Sequence, residues 1–221
     1  FTSTSAVCVT GLVMHDTATY WSFFGQVVIL FLIQIGGLGV ITVAASFAMI
    51  SGKKISLMQR STMQEAIAAP KVGGIVRLTN FMIRTTLAIE LLGTIIMAPV
   101  FCRDFGVKGL WVALFHSVSA FCNAGFDLMG TTEAFSSLTG YASEPVVNLT
   151  IMSLIIIGGI GFLTWDDLRA NRLHWQKYRM QSKVILCTTA VLLIVPAIYF
   201  FFFESSYEYF TLTAMPRANR F

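Results

Sequence analysis

Four apolar stretches dominate the chain: Phe23 to Ile50, Ile75 to Cys102, Val146 to Trp165 and Val184 to Phe203. Each has about the 20 residues that a helix needs to cross the hydrocarbon core of a bilayer, so each predicts a span. Arg84 and Glu90 interrupt the second stretch, and Pro196 the fourth. A fifth apolar segment, Leu110 to Phe121, is too short to span and runs into a polar, glycine-bearing string. Irregular backbone at membrane depth survives only where it is buried in protein or lines a cavity, so this pattern predicts a re-entrant loop.

The string after that short helix occurs twice. Thr2 to Leu12 (TSTSAVCVTGL) and His116 to Phe126 (HSVSAFCNAGF) share Ser, Ser, Ala, Cys and Gly at a constant offset of 114. A second pair, Ile33 to Thr42 (IQIGGLGVIT) and Ile155 to Thr164 (IIIGGIGFLT), matches at an offset of 122. The offset grows by eight, which places an eight-residue insertion in the outer loop between Asp127 and Pro145. Two crossings separate Gly11 from Gly125, so the copies run parallel, whereas inverted transporter repeats need an odd number. Each copy reads as outer helix, pore loop and inner helix.

Composition agrees with a lipid setting. A hydrophobic share of 56% against a charged share of 12% departs from soluble proteins, where roughly a quarter of residues are charged. The expected class is an all-α integral membrane protein. The net charge of +4 sits mostly between apolar stretches and sets topology, with no reason to invoke nucleic acid. Ser51 to Gly74 carries Lys53, Lys54, Arg60 and Lys71, and Asp166 to Lys183 carries Arg169, Arg172, Lys177, Arg179 and Lys183. Arg103 to Pro145 holds only Arg103 and Lys108. Both basic linkers are therefore expected in the cytoplasm, and both glycine strings, with Glu204 and Glu208, on the outer side. The chain starts without methionine or a signal sequence and is expected to be a piece of a longer polypeptide.

A cation leaving water needs oxygen ligands in place of its hydration shell, and backbone carbonyls supply them without titratable charge. Glycine allows the backbone angles that turn carbonyls to one side. Gly11 and Gly125, with the neighbouring carbonyls of Val9, Thr10, Asn123 and Ala124, are the candidate filter. The rival reading is helix packing, the common use of glycine in membrane helices. For the two GGxG runs, packing of the inner helices around an axis is the default, with a gating hinge as the alternative. Glu90 reads as a hydrogen-bonded brace behind a filter, six residues from Arg84 and so not paired with it. Asp16 and Asp127 lie at the outer mouth, either concentrating cations or as solvated loop carboxylates. His116 reads as packed and neutral. Cys8, Cys102, Cys122 and Cys187 show no metal spacing, no transition-metal site is expected, and no residues converge on catalysis.

The strings STSAVCVTGL, SGKKISLMQRSTMQEAI, GGIVRLTNFMIRTTLAIELLG and FHSVSAFCNAGFDL together resemble the Trk/Ktr/HKT superfamily of potassium transporters, most closely the membrane subunit of a bacterial Ktr system. The resemblance implies four outer-helix, pore-loop, inner-helix repeats around a pseudo-fourfold pore, each filter marked by one glycine. Residues 1–50 would be the pore loop and inner helix of the first repeat, 51–74 a cytoplasmic linker, 75–165 a complete second repeat, 166–183 a second linker and 184–221 the outer helix of a third. It further implies K+ as the transported ion with Na+ as a candidate coupling ion, no covalent cofactor, a homodimer in the cell membrane, and a cytoplasmic nucleotide-binding regulatory subunit. The rivals are a membrane scaffold or other secondary transporter, and a two-pore-loop subunit that dimerises to complete four filters.

Overall fold

A computed structural model describes residues 1–39, 42–43, 75–131, 134–171 and 174–214. The linker at 51–74 with Lys53, Lys54, Arg60 and Lys71, residues 40–41 and 44–50 of the first stretch, and Arg172 lie outside them. The described residues are helical and contain no strand. In chain order the helices are α1 (Thr2–Val7), α2 (Thr17–Tyr20), α3 (Phe23–Leu38), α4 (Ile75–Phe105), α5 (Lys108–Phe121), α6 (Pro145–Ile160), α7 (Phe162–Asn171) and α8 (Met180–Ala214). They divide into two compact bodies, Phe1–Gly161 and Phe162–Phe221.

In the first body, α5 packs against both α4 and α6, α1 packs on α3, and α3 reaches α5. The short helix α5 is buried almost all round, from Val112 through Phe121 apart from Leu114. A helix with no solvated face belongs in the interior of a protein. Gly109 permits the entry angle, because a Cβ there would collide with the backbone of Phe101 and Cys102. Around this core, α4 turns Leu87, Leu91, Leu92 and Ile95 outward, an apolar surface suited to lipid.

Two helices are long and apolar enough to cross a membrane among the described residues: Leu78–Phe105 in the first body and Met180–Phe203 in the second. At 1.5 Å per residue these 28- and 24-residue lengths reach about 42 and 36 Å. Pro196 lies inside α8 without ending it, as membrane helices tolerate when the freed carbonyl finds other partners. The other two predicted spans are not continuous. Both α3 and α6 stop after 16 residues. Each stops at the last glycine of its GGxG run, Gly39 at φ 84°, ψ 132° and Gly161 at φ 86°, ψ 148°. Those angles are open to glycine and strained for any other residue, so the sequence breaks both helices at the same point of the repeat.

The outer loops are tied down. Asp16 caps α2 by accepting from the amides of Ala18 (2.9 Å) and Thr19 (3.1 Å) and from Thr19 Oγ1 (3.2 Å). Its second oxygen accepts the amide of Phe135 at 3.0 Å, which joins the loop after Gly11 to the loop after Gly125. Gly130 is packed on this carboxylate with no room for a Cβ. The loop between Asp127 and Pro145 is held to the C-terminal end of α4, where Arg103 bonds Asp104 (3.0 Å) and Glu144 (2.8 Å), and Tyr141 donates to Asp104 (2.8 Å).

Burial raises the Asp16 carboxyl, but the amides of Phe135, Thr19 and Ala18 and the Thr19 hydroxyl outweigh it, and the net shift is downward from 3.8. A depressed folded-state value gives stability that is complete above pH 3.8 and is lost as pH falls through the lowered value. Asp16→Asn in the full-length protein should therefore lower stability by about 2 kcal/mol at neutral pH, the scale of hydrogen bonds to a charged group. Thermal melting in detergent should show this gap closing in strong acid. A gap that is constant with pH would contradict the assignment.

Candidate ion-filter site

Helices α1 and α5 end in the same way. The amide of Cys8 bonds Thr4 O (2.8 Å), Val9 bonds Ala6 O (3.3 Å) and Thr10 bonds Ser5 O (3.0 Å). At the same offset of 114, Cys122 bonds Val118 O (2.9 Å), Asn123 bonds Ala120 O (3.1 Å) and Ala124 bonds Ser119 O (2.8 Å). The last two bonds of each set form a Schellman cap, whose turning residue is left-handed and usually glycine. Here it is Val9 at φ 56° and Asn123 at φ 57°. Asparagine tolerates that region, but for a β-branched valine it costs about 1–2 kcal/mol, which the surrounding packing must hold.

Two residues later the backbone turns left-handed again, at Gly11 (φ 71°) and Gly125 (φ 73°). The two segments thus carry left-handed residues at matched positions, Val9 and Gly11 in one, Asn123 and Gly125 in the other. The two segments meet at these glycines. A Cβ on Gly125 would lie 3.3 Å from Gly11 Cα, and a Cβ on Gly11 would lie 2.7 Å from Ala124 O and 3.2 Å from Gly125 Cα. Thr10, Asn123 and Gly125 are exposed, Val9 and Gly11 half-buried, and Ala124 fully buried. Of the six predicted filter residues, Gly11, Ala124 and Gly125 meet between the segments, and all six lie past the helix ends.

Hydroxyls and one imidazole hold the chain that leaves each turn. Ser119 Oγ donates to Phe126 O (2.6 Å) and accepts from Phe126 N (3.0 Å). His116 Nδ1 lies 2.8 Å from Val112 O, so it carries the proton, and Nε2 accepts from Leu128 N at 3.5 Å. One donor and one acceptor fit the neutral ring. In the first copy the matched Ser5 instead bonds Thr10 Oγ1 at 2.8 Å. The same hydroxyl thus serves within one segment and across the other.

Glycines of the GGxG runs pack on the C-terminal ends of α1 and α5. A Cβ on Gly36 would collide with Val7 O and meet Val9 Cγ2 at 2.9 Å; one on Gly37 would strike Cys122 Sγ, and one on Gly158 would strike Phe121 O. The first glycines of each run let an inner helix press on the cap where the chain turns left-handed, and the last breaks that helix. Packing and a break coexist within a single motif.

The partner of Glu90 is present in the chain. Its Oε2 accepts from Gln34 Nε2 (3.2 Å), and Oε1 lies 3.9 Å from Cys122 Sγ. Arg84, in contrast, is exposed. Asp16 is buried in the outer-loop tie described above and so is not a solvated carboxylate. Asp127 is half-buried and accepts the amide of Met129 at 3.0 Å. It borders a cavity of about 240 Å³ beside the second segment, whose lining includes His116, Ser119, Asn123 and Gly125. No group of His, Cys, Asp and Glu suited to a metal ion occurs among the described residues.

Sequence reasoning missed the left-handed Val9 and Asn123. Only Asn123 carried a signal, the known tolerance of asparagine for that region. It also left the partner of Glu90 unassigned, because Gln34 lies 56 residues away in sequence.

Adjacent glycines give a test of the packing. Gly158→Ala should destabilise the full-length protein by about 1–3 kcal/mol, the usual cost of overpacking. Gly159→Ala should change little, since its Cβ would meet only Asn123 Nδ2 at 3.9 Å. Equal melting temperatures for the two variants would contradict the geometry.

The sequence profile described as TrkH, cation transport protein, matches residues 1–203. The chain is 40% identical over 192 residues to the potassium/sodium uptake protein NtpJ of Enterococcus hirae, covering 86% of this chain and 41% of that protein. It is 42% identical over 190 residues to the Ktr system potassium uptake protein B of Bacillus subtilis, with the same shares covered. Against the protein of that name from Vibrio alginolyticus it is 33% identical over 194 residues, again 86% of this chain and 41% of the relative. The chain spans about two fifths of the length of these curated relatives. With both glycine segments inside the matched region, the chain belongs to the TrkH family of cation transport proteins, which are membrane ion transporters and not enzymes.

Proposed function

We propose that the whole protein takes up K+ across the cell membrane, and that the carbonyls of Val9, Thr10, Gly11, Asn123, Ala124 and Gly125 supply part of its selectivity filter. The observation that carries this reading is the approach of Gly11 and Gly125, two left-handed turns of matched sequence with no space for a side chain between them. Carbonyls fixed on such turns replace hydration water at little reorganisation cost. The relatives named for potassium uptake and for potassium/sodium uptake support K+ as the cargo and Na+ as the candidate coupling ion.

On this reading the chain is a multi-pass protein with 1–50 and 75–165 as two repeats joined by the cytoplasmic linker 51–74. The linker 166–183 then leads to α8, the outer helix of a third repeat. The two basic linkers face the cytoplasm, where a nucleotide-binding regulatory subunit would dock, and a second copy of the membrane subunit completes a homodimer. Asp127, beside the cavity near Gly125, is the better placed of the two carboxylates to draw cations, since Asp16 is committed to its four donors.

Gly125→Ser tests the filter. In full-length protein reconstituted into liposomes, the ratio of K+ to Na+ uptake should fall about tenfold, equivalent to about 1.4 kcal/mol of lost discrimination. An unchanged ratio with normal K+ affinity would overturn the assignment.

A further inference from the structure

Glu90 lies inside a membrane-spanning helix with 3% of its surface exposed. An ionisable group there is costly to keep, and an apolar residue of similar volume would pack as well or better. The side chain reaches two elements at once. One oxygen takes the amide of Gln34, on inner helix α3 of the first repeat, at 3.2 Å. The other lies 3.9 Å from the thiol of Cys122, which caps α5 one residue before the left-handed Asn123. Its backbone carbonyl accepts from Ser117 Oγ (2.6 Å) on α5 and from Thr94 Oγ1 (2.8 Å) on its own helix. From the far side Gly37, three residues beyond Gln34, is packed on Cys122 so closely that a Cβ would strike the sulfur. Cys122 is therefore gripped between α3 and α4 at the base of the second filter segment.

We propose that Glu90 is a positioning residue for ion selection: through Gln34 and Cys122 it fixes the register of the first repeat's inner helix against the second pore loop, so that Gly11 and Gly125 meet at matching height. The proposal rests on the ion-uptake reading above. Neither oxygen serves α4 itself. Each is spent on a different neighbour, and those neighbours belong to different repeats. A residue that only filled space would show no such division.

The test uses the full-length protein in liposomes, with K+ and Na+ uptake measured over a range of concentrations and melting temperature followed in parallel. Glu90→Leu, which keeps bulk and removes both contacts, should raise the K+ concentration for half-maximal uptake about tenfold, the scale of one lost buried hydrogen bond. It should lower K+ over Na+ discrimination, with a smaller change in maximal rate. Glu90→Gln, which keeps length and hydrogen bonding, should restore both to within about twofold of wild type. Gln34→Leu should reproduce the Glu90→Leu phenotype, and the double variant should be no worse than either single one. Wild-type half-saturation in Gln34→Leu, independent multiplying effects, or no rescue by Glu90→Gln would each overturn the proposal, even if Glu90→Leu fails to assemble. If the wild-type protein takes up no K+, the ion-uptake reading fails instead. The grip is then read directly from maleimide labelling of Cys122 in a Cys8, Cys102, Cys187→Ser background. Faster labelling in Gln34→Leu supports the grip, and unchanged labelling overturns it.

Discussion

Two backbones leave their helices through left-handed turns and approach glycine to glycine, and nearly every unusual residue in the first body exists to hold that approach. A left-handed valine and a helix cap inside a membrane are both unfavourable taken alone. They persist because neighbours fix them from several sides. Gly36 and Gly158 let the inner helices press on the caps. Ser119 and His116 satisfy the amides and carbonyl of the chain that runs on from the second turn. Polar backbone away from water must be paired somewhere, and here the pairing is done by two side chains less than one turn apart on α5.

The repeats are joined at more than one level. In the outer loops, Asp16 of the first copy holds the Phe135 amide of the second. Near the start of α5, Trp111 Nε1 donates to Gln26 Oε1 of α3 at 2.9 Å. Deeper, Gln34 meets Glu90. Each tie crosses from one repeat to the other and each is polar and directional, so it sets register as apolar packing between two smooth helices would not. The apolar outer faces of α4 remain free for lipid.

Much of this was legible in the sequence, because repetition is a local signal. The matched strings located the turns at Gly11 and Gly125, and the apolar run located α5, with the helix starting at Lys108 in place of Leu110. The offset change from 114 to 122 identified the longer loop between Asp127 and Pro145, which Tyr141 and Glu144 tie to Asp104 and Arg103. What stayed hidden depends on tertiary context. Valine at φ 56° runs against its own propensity, and only the glycine pressed behind it allows it. In the GGxG runs packing and a hinge read as alternatives, yet the last glycine ends a helix while the first ones support a turn elsewhere in the chain. Asp16 reads as an exposed loop acid until its distant amide partner at Phe135 is known.

The most direct test of the central claim is the position of the ion. Crystals of the full-length protein grown in K+ and exchanged into Rb+ should show anomalous scattering within coordinating distance of the backbone carbonyls of the Gly11 and Gly125 segments. Rb+ density located elsewhere, with none within reach of those carbonyls, would contradict the account.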